Sequence, residues 1–172
     1  LGAGKAKNAE RTEEAAKRMA TLVEKAEADD EALQANYYAI MLHQLQGSAA
    51  MARGETEAAL KHLAKAVELE EKQGPPSGPA GPIKPSHELY GEFLVKAGKY
   101  EEAIEVLRRS LQRTPNRTFS LLALARAADK TDDVETASQA YKTLQRFLKD
   151  ADADVPFLDE VRSYEASTDG GS

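Results

Sequence analysis

One pattern of small and apolar residues occurs three times along the chain, and its second and third copies lie 34 residues apart. Each copy has a small residue at two fixed offsets and a larger apolar residue four positions after the second. The three sets are Gly47, Ala59 and Leu63, then Gly91, Ala103 and Leu107, then Ala125, Ala137 and Tyr141. A period of 34 residues is the length of one helix–turn–helix unit. The pattern therefore predicts an array of helix pairs.

The residue types at these offsets have a physical reason. Small residues allow two helices to cross within the roughly 8–10 Å of ordinary helix packing, and larger apolar residues fill the gaps beside each crossing. The first copy precedes the second by 44 residues rather than 34. A segment rich in Gly and Pro at 74–85 accounts for the additional length.

The middle copy carries the most complete version of the pattern. Its matching residues are Gly91, Leu94, Gly98, Tyr100, Ala103, Leu107, Ser110, Pro115 and Asn116. With these residues the sequence resembles the tetratricopeptide-repeat (TPR) family, in its bacterial type. The resemblance implies an all-α fold, a right-handed TPR-like α-solenoid of antiparallel helix pairs with about three repeats, an N-terminal helix and a C-terminal capping helix. In the third copy Asp132 replaces the turn glycine, and in the first copy Gln46 replaces the leucine that the family prefers.

We expect one TPR-like helical domain over 8–166, with disordered tails at 1–7 and 167–172. Its repeats are 40–73, 84–117 and 118–151, and the Gly/Pro loop 74–85 follows the first. Apolar periodicity and turn residues place helices at 8–28, 31–53, 55–72, 85–97, 99–113, 118–130, 133–150 and 155–165. Asp29 and Asp30 are expected to cap the helix that follows them. Gly54 is expected to end that helix.

The charge pattern argues against nucleic acid as a partner. The net charge is −6, and neither half of the chain is basic. The arginines at 108–117 follow glutamates at 101–105 and have no aromatic residues beside them for stacking on bases. A solvated helix face explains this arrangement, so nucleic-acid binding is disfavoured.

Composition also limits the classes of site and compartment. The chain contains no cysteine, which excludes disulfides and thiolate chemistry. Its most apolar stretch, 119–128, is far shorter than the roughly 20 residues of a membrane-spanning helix, so no membrane insertion is expected. Because the chain begins with Leu1 and ends with Gly171-Ser172, we interpret it as a fragment of a longer protein.

No group of residues predicts catalysis, and we expect no enzyme activity and no cofactor. Ser86, His87 and Glu88 are the residue types of a hydrolase triad. Consecutive residues of a helix point about 100° apart, however, and cannot hydrogen-bond in series. His43 and His87 share one repeat offset, so both are expected to be packing residues that stay partly exposed.

A metal site is not expected either. His43, His62 and His87 lack the i, i+4 spacing of helical zinc ligands. Asp150, Asp152 and Asp154 alternate as in a calcium loop, but the glycine and glutamate that such a loop needs are missing further along. An acidic, solubilising turn is the favoured interpretation of these aspartates.

The Gly/Pro loop has two interpretations that the sequence leaves open. Its five prolines prevent a helix and favour extended backbone. The first interpretation, which we favour, is a spacer that lets one helix pair dock on the next. The second is a lid over the groove or a built-in pseudo-ligand within it.

The resemblance implies a function in protein–protein interaction. In TPR proteins the first helix of each pair lines the concave face, which suits a peptide or protein segment held by a few anchors. The corresponding residues here are Met41, Gln44, Ser48 and Met51 in the first copy, Glu88, Glu92 and Lys96 in the second, and Phe119, Leu122, Arg126 and Lys130 in the third. TPR modules that clamp chaperone C-termini use Lys, Asn and Arg at places that here carry Gln44, Ser48, Leu89, Phe119 and Ala123, so that partner is not expected.

Two alternative functions remain open. The first is self-association, in which helix 8–28 or the groove pairs with a second copy. The second is an accessory region that positions the catalytic domain of a larger enzyme. The sequence identifies neither the partner nor the cellular compartment. The resemblance alone points to an exported, periplasmic protein.

Overall fold

The computed structural model describes residues 2–74 and 84–164, and this part of the chain forms eight α-helices and no strand. The helices are α1 (Gly2–Ala28), α2 (Ala32–Arg53), α3 (Thr56–Glu71), α4 (Ser86–Lys96), α5 (Tyr100–Arg113), α6 (Thr118–Lys130), α7 (Val134–Phe147) and α8 (Leu158–Ser163). The predicted all-α class is confirmed. Most of the Gly/Pro loop and the tail 167–172 lie outside the described residues.

The chain divides into two compact units, with the division between Phe93 and Leu94 in α4. In the first unit, α1 packs on α2 and α2 packs on α3. In the second, α5 packs on α6, α6 on α7, and α8 contacts α7. This pairing of consecutive helices is that of a TPR-like helical repeat.

The small-residue positions of the repeat are buried as the pattern requires. Ala59 and Ala103 have no exposed surface, and Ala137 is 1% exposed. The filling residues Leu63 and Leu107 are also fully buried. The predicted register of the repeats is therefore confirmed at these positions.

Gly47 shows how closely helices approach in the first unit. A Cβ atom added to Gly47 would lie 2.8 Å from Cγ of Leu63 and 3.1 Å from the carbonyl oxygen of Ala59. Neither distance leaves room for a methyl group without displacement of α3. The crossing of α2 and α3 therefore depends on glycine at this position.

The predicted end of α2 is confirmed, whereas its predicted cap is wrong. Gly54 has a φ of 84°, and its N–H bonds to the carbonyl of Met51 at 3.1 Å. The residue before α2 is Glu31, with no side-chain cap. Asp30 has a φ of 60° and donates its N–H to Glu27, so it closes α1 instead of opening α2.

Two other boundaries differ from the prediction. Helix α1 begins at Gly2 rather than at residue 8, which corrects the expected disordered tail over 2–7. Alanine and lysine are good helix formers, and they dominate this stretch. Helix α8 is shorter than expected, because Phe157 precedes its first residue and Pro156 lies outside it.

The third copy replaces the turn glycine without changing the turn. Asp132 has a φ of 56°, in the left-handed region that aspartate tolerates better than most residues. The next residue, Asp133, accepts a hydrogen bond on Oδ1 from the N–H of Thr136 at 3.1 Å. Asp133 thus caps α7, which satisfies one of the free N–H groups at the helix start.

Candidate protein-interaction surfaces

Helix α6 carries four of the residues predicted to bind a partner. Phe119 is 49% exposed, although it is a large apolar residue. The side chain of Arg126 is 45% exposed, and Lys130 is exposed as well. Leu122 is only 4% exposed and belongs to the core of the second unit. Three of the four side chains therefore reach the surface, whereas Leu122 is a core residue.

Phe119 contacts a residue that directly precedes α8. Its ring lies 5.8 Å from the ring of Phe157, measured between centroids, and the two planes meet at 68°. Edge contacts of this kind are favourable for aromatic pairs. About half of Phe119 remains accessible beside this contact.

Arg126 binds a carboxylate on α8. Its Nε donates to Oε1 of Glu160 at 2.8 Å, and its Nη2 donates to Oε2 at 2.5 Å. Such paired bonds between guanidinium and carboxylate fix both distance and orientation. The hydroxyl of Tyr141 donates to the same Oε1 at 2.9 Å. Glu160 therefore joins α6, α7 and α8 through one carboxylate.

The ionisation of these groups reflects that arrangement. The hydrogen bond from Arg126 is the main cause that lowers the pKa of Glu160, so its carboxylate stays charged. Burial is the main cause that raises the pKa of Tyr141, and the neighbouring carboxylate adds to it. The phenol therefore stays protonated and donates its hydrogen bond at neutral pH.

Further contacts hold the segment around α8. The amide of Gln145 donates to the carbonyls of Val161 at 2.8 Å and Tyr164 at 3.2 Å. The rings of Tyr141 and Tyr164 stack with their centroids 4.0 Å apart. Leu158 is 1% exposed and Val161 is fully buried. Helix α8 thus covers apolar surface of the second unit, as expected of a capping helix.

In the first unit, the predicted residues of α2 are partly buried. Met41, Gln44, Ser48 and Met51 all have intermediate exposure. The amide of Gln44 donates to the carbonyl of Lys84 at 2.9 Å and to the hydroxyl of Ser86 at 3.0 Å. Gln44 therefore helps to hold the segment that enters α4.

The predicted residues of α4 have three different environments. Glu88 has no exposed surface and lies 3.7 Å from Nζ of Lys84. Glu92 is partly exposed and accepts a hydrogen bond from the same Nζ at 2.7 Å. Lys96, which belongs to the second unit, is exposed. The structure thus brings Gln44, Glu88 and Glu92 together around residues 84–86.

The expectation that His87 stays partly exposed is wrong, since it is only 1% exposed. Its Nε2 lies 3.1 Å from Oε1 of Glu71 on α3. Beside it, the carboxylate of Glu70 accepts the N–H of Ser86 at 2.7 Å. These two glutamates dock the start of α4 on α3, and this docking buries the imidazole. Ser86, His87 and Glu88 are held by separate partners rather than in series.

A contact that sequence reasoning missed joins α2 and α3. The Nδ1 atoms of His43 and His62 lie 3.2 Å apart. Burial is the first cause that lowers the pKa of each ring; the charge of His62 adds to it at His43, and that of Lys61 at His62. Within residues 2–74 and 84–164, no group of three or more His, Asp or Glu residues is placed to hold a metal ion. His43 is also less exposed than a surface residue, as the repeat offset predicted.

Each unit also has a cleft that the sequence did not predict. In the first unit, a cleft of about 380 Å³ is lined by Glu13, Lys17, Gln46, Arg53 and His62, together with alanines of α1 and α2. In the second, a cleft of about 340 Å³ is lined mainly by Arg108, Leu111, Leu121, Leu124 and Thr136. Neither cleft includes a residue of the predicted binding set.

Comparison with known proteins identifies a family for the second unit. Residues 94–155 match the family model described as Tetratricopeptide repeat, and this region begins at the first residue of the second unit. No curated protein sequence matches the chain significantly. No helix in the described part of the chain combines the length and apolar character needed to cross a membrane. Tetratricopeptide repeats generally mediate protein–protein interaction. The repeat pattern, the paired helices of the second unit and the family match together identify residues 94–155 as tetratricopeptide repeats.

Proposed function

We propose that the chain is a non-catalytic scaffold that binds a peptide or protein segment on the first helices of its repeats. The family supports the general function, because tetratricopeptide repeats typically act as interaction modules. The face of α6 supports the location. It combines an aromatic ring and a guanidinium, which are enriched at protein interfaces, with an ammonium group on the same helix.

The half-exposed ring of Phe119 carries this proposal. Leu122 on the same helix is almost completely buried, whereas Phe119 keeps about half of its surface exposed. Packing within the second unit therefore does not use the whole phenylalanine ring. When a partner covers an exposed aromatic ring, apolar surface is removed from water, and this burial stabilises the complex. Arg126 lies seven residues later, two helical turns along the same face.

The first unit has a proposed binding face of its own, with more adaptable side chains. Met41 and Met51 on α2 are partly exposed, and methionine fits irregular partner surfaces because its side chain is flexible and polarisable. Gln44, Ser48 and Glu92 are also partly exposed and supply polar groups. In this proposal Lys96 and Lys130 attract acidic groups of the partner. Glu88 is buried and does not contact the partner in this proposal; it lies beside the ammonium group of Lys84 instead.

Self-association is the second candidate function, and one observation favours it. Leu33 on α2 is 85% exposed, and Leu22 on α1 is 40% exposed, which leaves apolar surface on the first unit. Light scattering over a range of concentrations tests this alternative. A dimer that Leu33→Gln abolishes would support it, and an exclusively monomeric protein would contradict it.

Site-specific crosslinking tests the proposed surface. A photoreactive phenylalanine analogue at position 119 should capture a partner from an extract of the source cells. The same analogue at position 109, an exposed arginine position on α5, is the matched control and should capture much less of that partner. Equal capture at both positions would contradict the assignment of the surface to α6. Fractionation of the same cells tests whether the protein is exported.

A further inference from the structure

The two anchors proposed on α6 are already in contact with one short segment of the chain. Phe119 meets Phe157, and Arg126 binds Glu160 through two hydrogen bonds. Phe157 directly precedes α8 and Glu160 lies in its first turn, and the contacts with Phe119 and Arg126 place both side chains towards α6. A single turn around α8 therefore supplies both an aromatic ring and a carboxylate to the proposed binding face.

The buried side of this segment continues the same pattern. Val161 and Tyr164 follow Phe157 at the fourth and seventh positions, and both pack against the core of the second unit. Anchors at i, i+4 and i+7 are typical of a helix that binds in a groove. The segment 157–164, called here the docked segment, consists of helix α8 and one flanking residue on each side, and its anchors have the spacing of a helical ligand.

We propose that the docked segment is a built-in occupant of the α6–α7 face, and that the partner is an acidic amphipathic helix of the same pattern, which replaces it. The partner helix has an aromatic residue, a carboxylate three positions later, and apolar residues four and seven positions later. This inference rests on the proposed function, because it names the partner class of the same face.

The physical argument for exchange is the small size of α8. A helix of six residues is too short to be stable in isolation, since nucleation costs more than its few hydrogen bonds return. Its order therefore depends on the contacts with α6 and α7. A longer partner helix that makes the same contacts needs less help from the face to fold, and it can compete for the face.

Charge complementarity selects an acidic partner over a basic one. The docked segment presents Glu160 to Arg126, and the hydroxyl of Tyr141 donates to the same carboxylate. The guanidinium of Arg126 and the hydroxyl of Tyr141 thus both donate hydrogen bonds here, so this position favours an acceptor such as a carboxylate. A partner with lysine at that position would meet the guanidinium directly and be repelled.

A labelled peptide of residues 155–165 is the probe that tests the proposal, with the full chain as receptor. The unchanged chain should bind the peptide weakly, because its own segment competes. Glu160→Gln in the chain weakens the internal contact and should tighten peptide binding about threefold to fivefold, the range expected for an ion pair near the surface. Asp159→Asn is the control, since it makes the same charge change at an exposed position and should leave binding unchanged.

Two further arms separate the alternative outcomes. Replacing the residue of the peptide that corresponds to Glu160 with lysine should abolish binding. Peptide binding that no variant changes, or no binding to Glu160→Gln, would overturn the proposal. A dimer that forms by exchange of the docked segment, seen by light scattering and lost in Phe157→Ala, would also overturn it, because a second copy would then be the occupant. Crosslinking at position 119 is independent of these results, so the proposed function can stand when this inference fails.

Discussion

In the first unit, the polar residues of the predicted surface are held by groups at the buried start of α4, whereas in the second unit Arg126 is held by a separate short helix. Gln44 bonds to the carbonyl of Lys84 and the hydroxyl of Ser86, and the N–H of Ser86 is bound in turn by Glu70. In the second unit, the equivalent role belongs to Glu160 of α8.

This difference separates a buried polar contact from one that water reaches. Ser86 is fully buried and Glu70 is 8% exposed, so releasing Gln44 would disturb the docking of α4 on α3. The ion pair of Arg126 and Glu160 is 45% and 35% exposed, so water can replace it at small cost. We therefore expect the ion pair of the second unit to rearrange on binding more readily than the contacts of Gln44 in the first.

The largest effect should come from overpacking a crossing, because the comparison assumes that both units pack by the same repeat. Ala103 on α5 has no exposed surface. Ala103→Leu should lower the free energy of unfolding by about 3 kcal/mol, since the added atoms have no space. Glu101→Ala, at an exposed position of the same helix, should change it by less than about 0.5 kcal/mol. Equal losses in urea denaturation would contradict the assigned register.

A smaller effect should separate the buried polar contacts of the two units. Glu70→Ala removes a carboxylate from the N–H of Ser86 and leaves this N–H buried, which should cost about 2 kcal/mol. Ser110→Ala removes a neutral hydroxyl that lies 2.9 Å from the hydroxyl of Ser120, and should cost about 1 kcal/mol. Chemical denaturation of both variants measures the difference. The comparison would be wrong if Ser110→Ala were the more destabilising change.

The smallest effect should be a dependence of the first unit on acid. The pKa values of His43 and His62 are lowered in the folded protein, so the unfolded chain binds more protons once the pH falls below about 6.5. The contribution of this pair to stability is therefore complete above that pH and is lost as the pH falls towards the native pKa values. Proton uptake would also place two charged rings against each other.

Denaturation at about pH 7.5 and about pH 5.5 measures this dependence. The double variant His43→Gln, His62→Gln should lose less stability between the two values than the unchanged chain does. If both proteins lost the same amount, the acid sensitivity would come from other groups.

The sequence predicted the elements that depend on local spacing. The positions of Ala59, Ala103 and Ala137 follow from the repeat, and all three are buried. The end of α2 at Gly54 follows from a residue that takes the left-handed conformation easily. Such features need only the residue types along one helix pair, so a single sequence contains them.

The contacts of the candidate surface could not be predicted in the same way. The pairing of Arg126 with Glu160, and of His43 with His62, depends on which faces of separate helices meet. The repeat fixes that each helix packs on the next, but it does not fix the rotation that selects a polar partner. The burial of His87 depends likewise on Glu70 and Glu71, which no spacing rule connects to it.

The affinity of the crosslinked partner for Phe119→Ala tests the central claim most directly. The account predicts a loss of more than about 1 kcal/mol, a factor of about five or more in the dissociation constant, with helicity unchanged. Arg109→Ala, an exposed change on α5, should leave the affinity as it is. A partner that binds Phe119→Ala as tightly as the unchanged chain, while losing affinity for Arg109→Ala, would contradict the placement of the binding surface on α6.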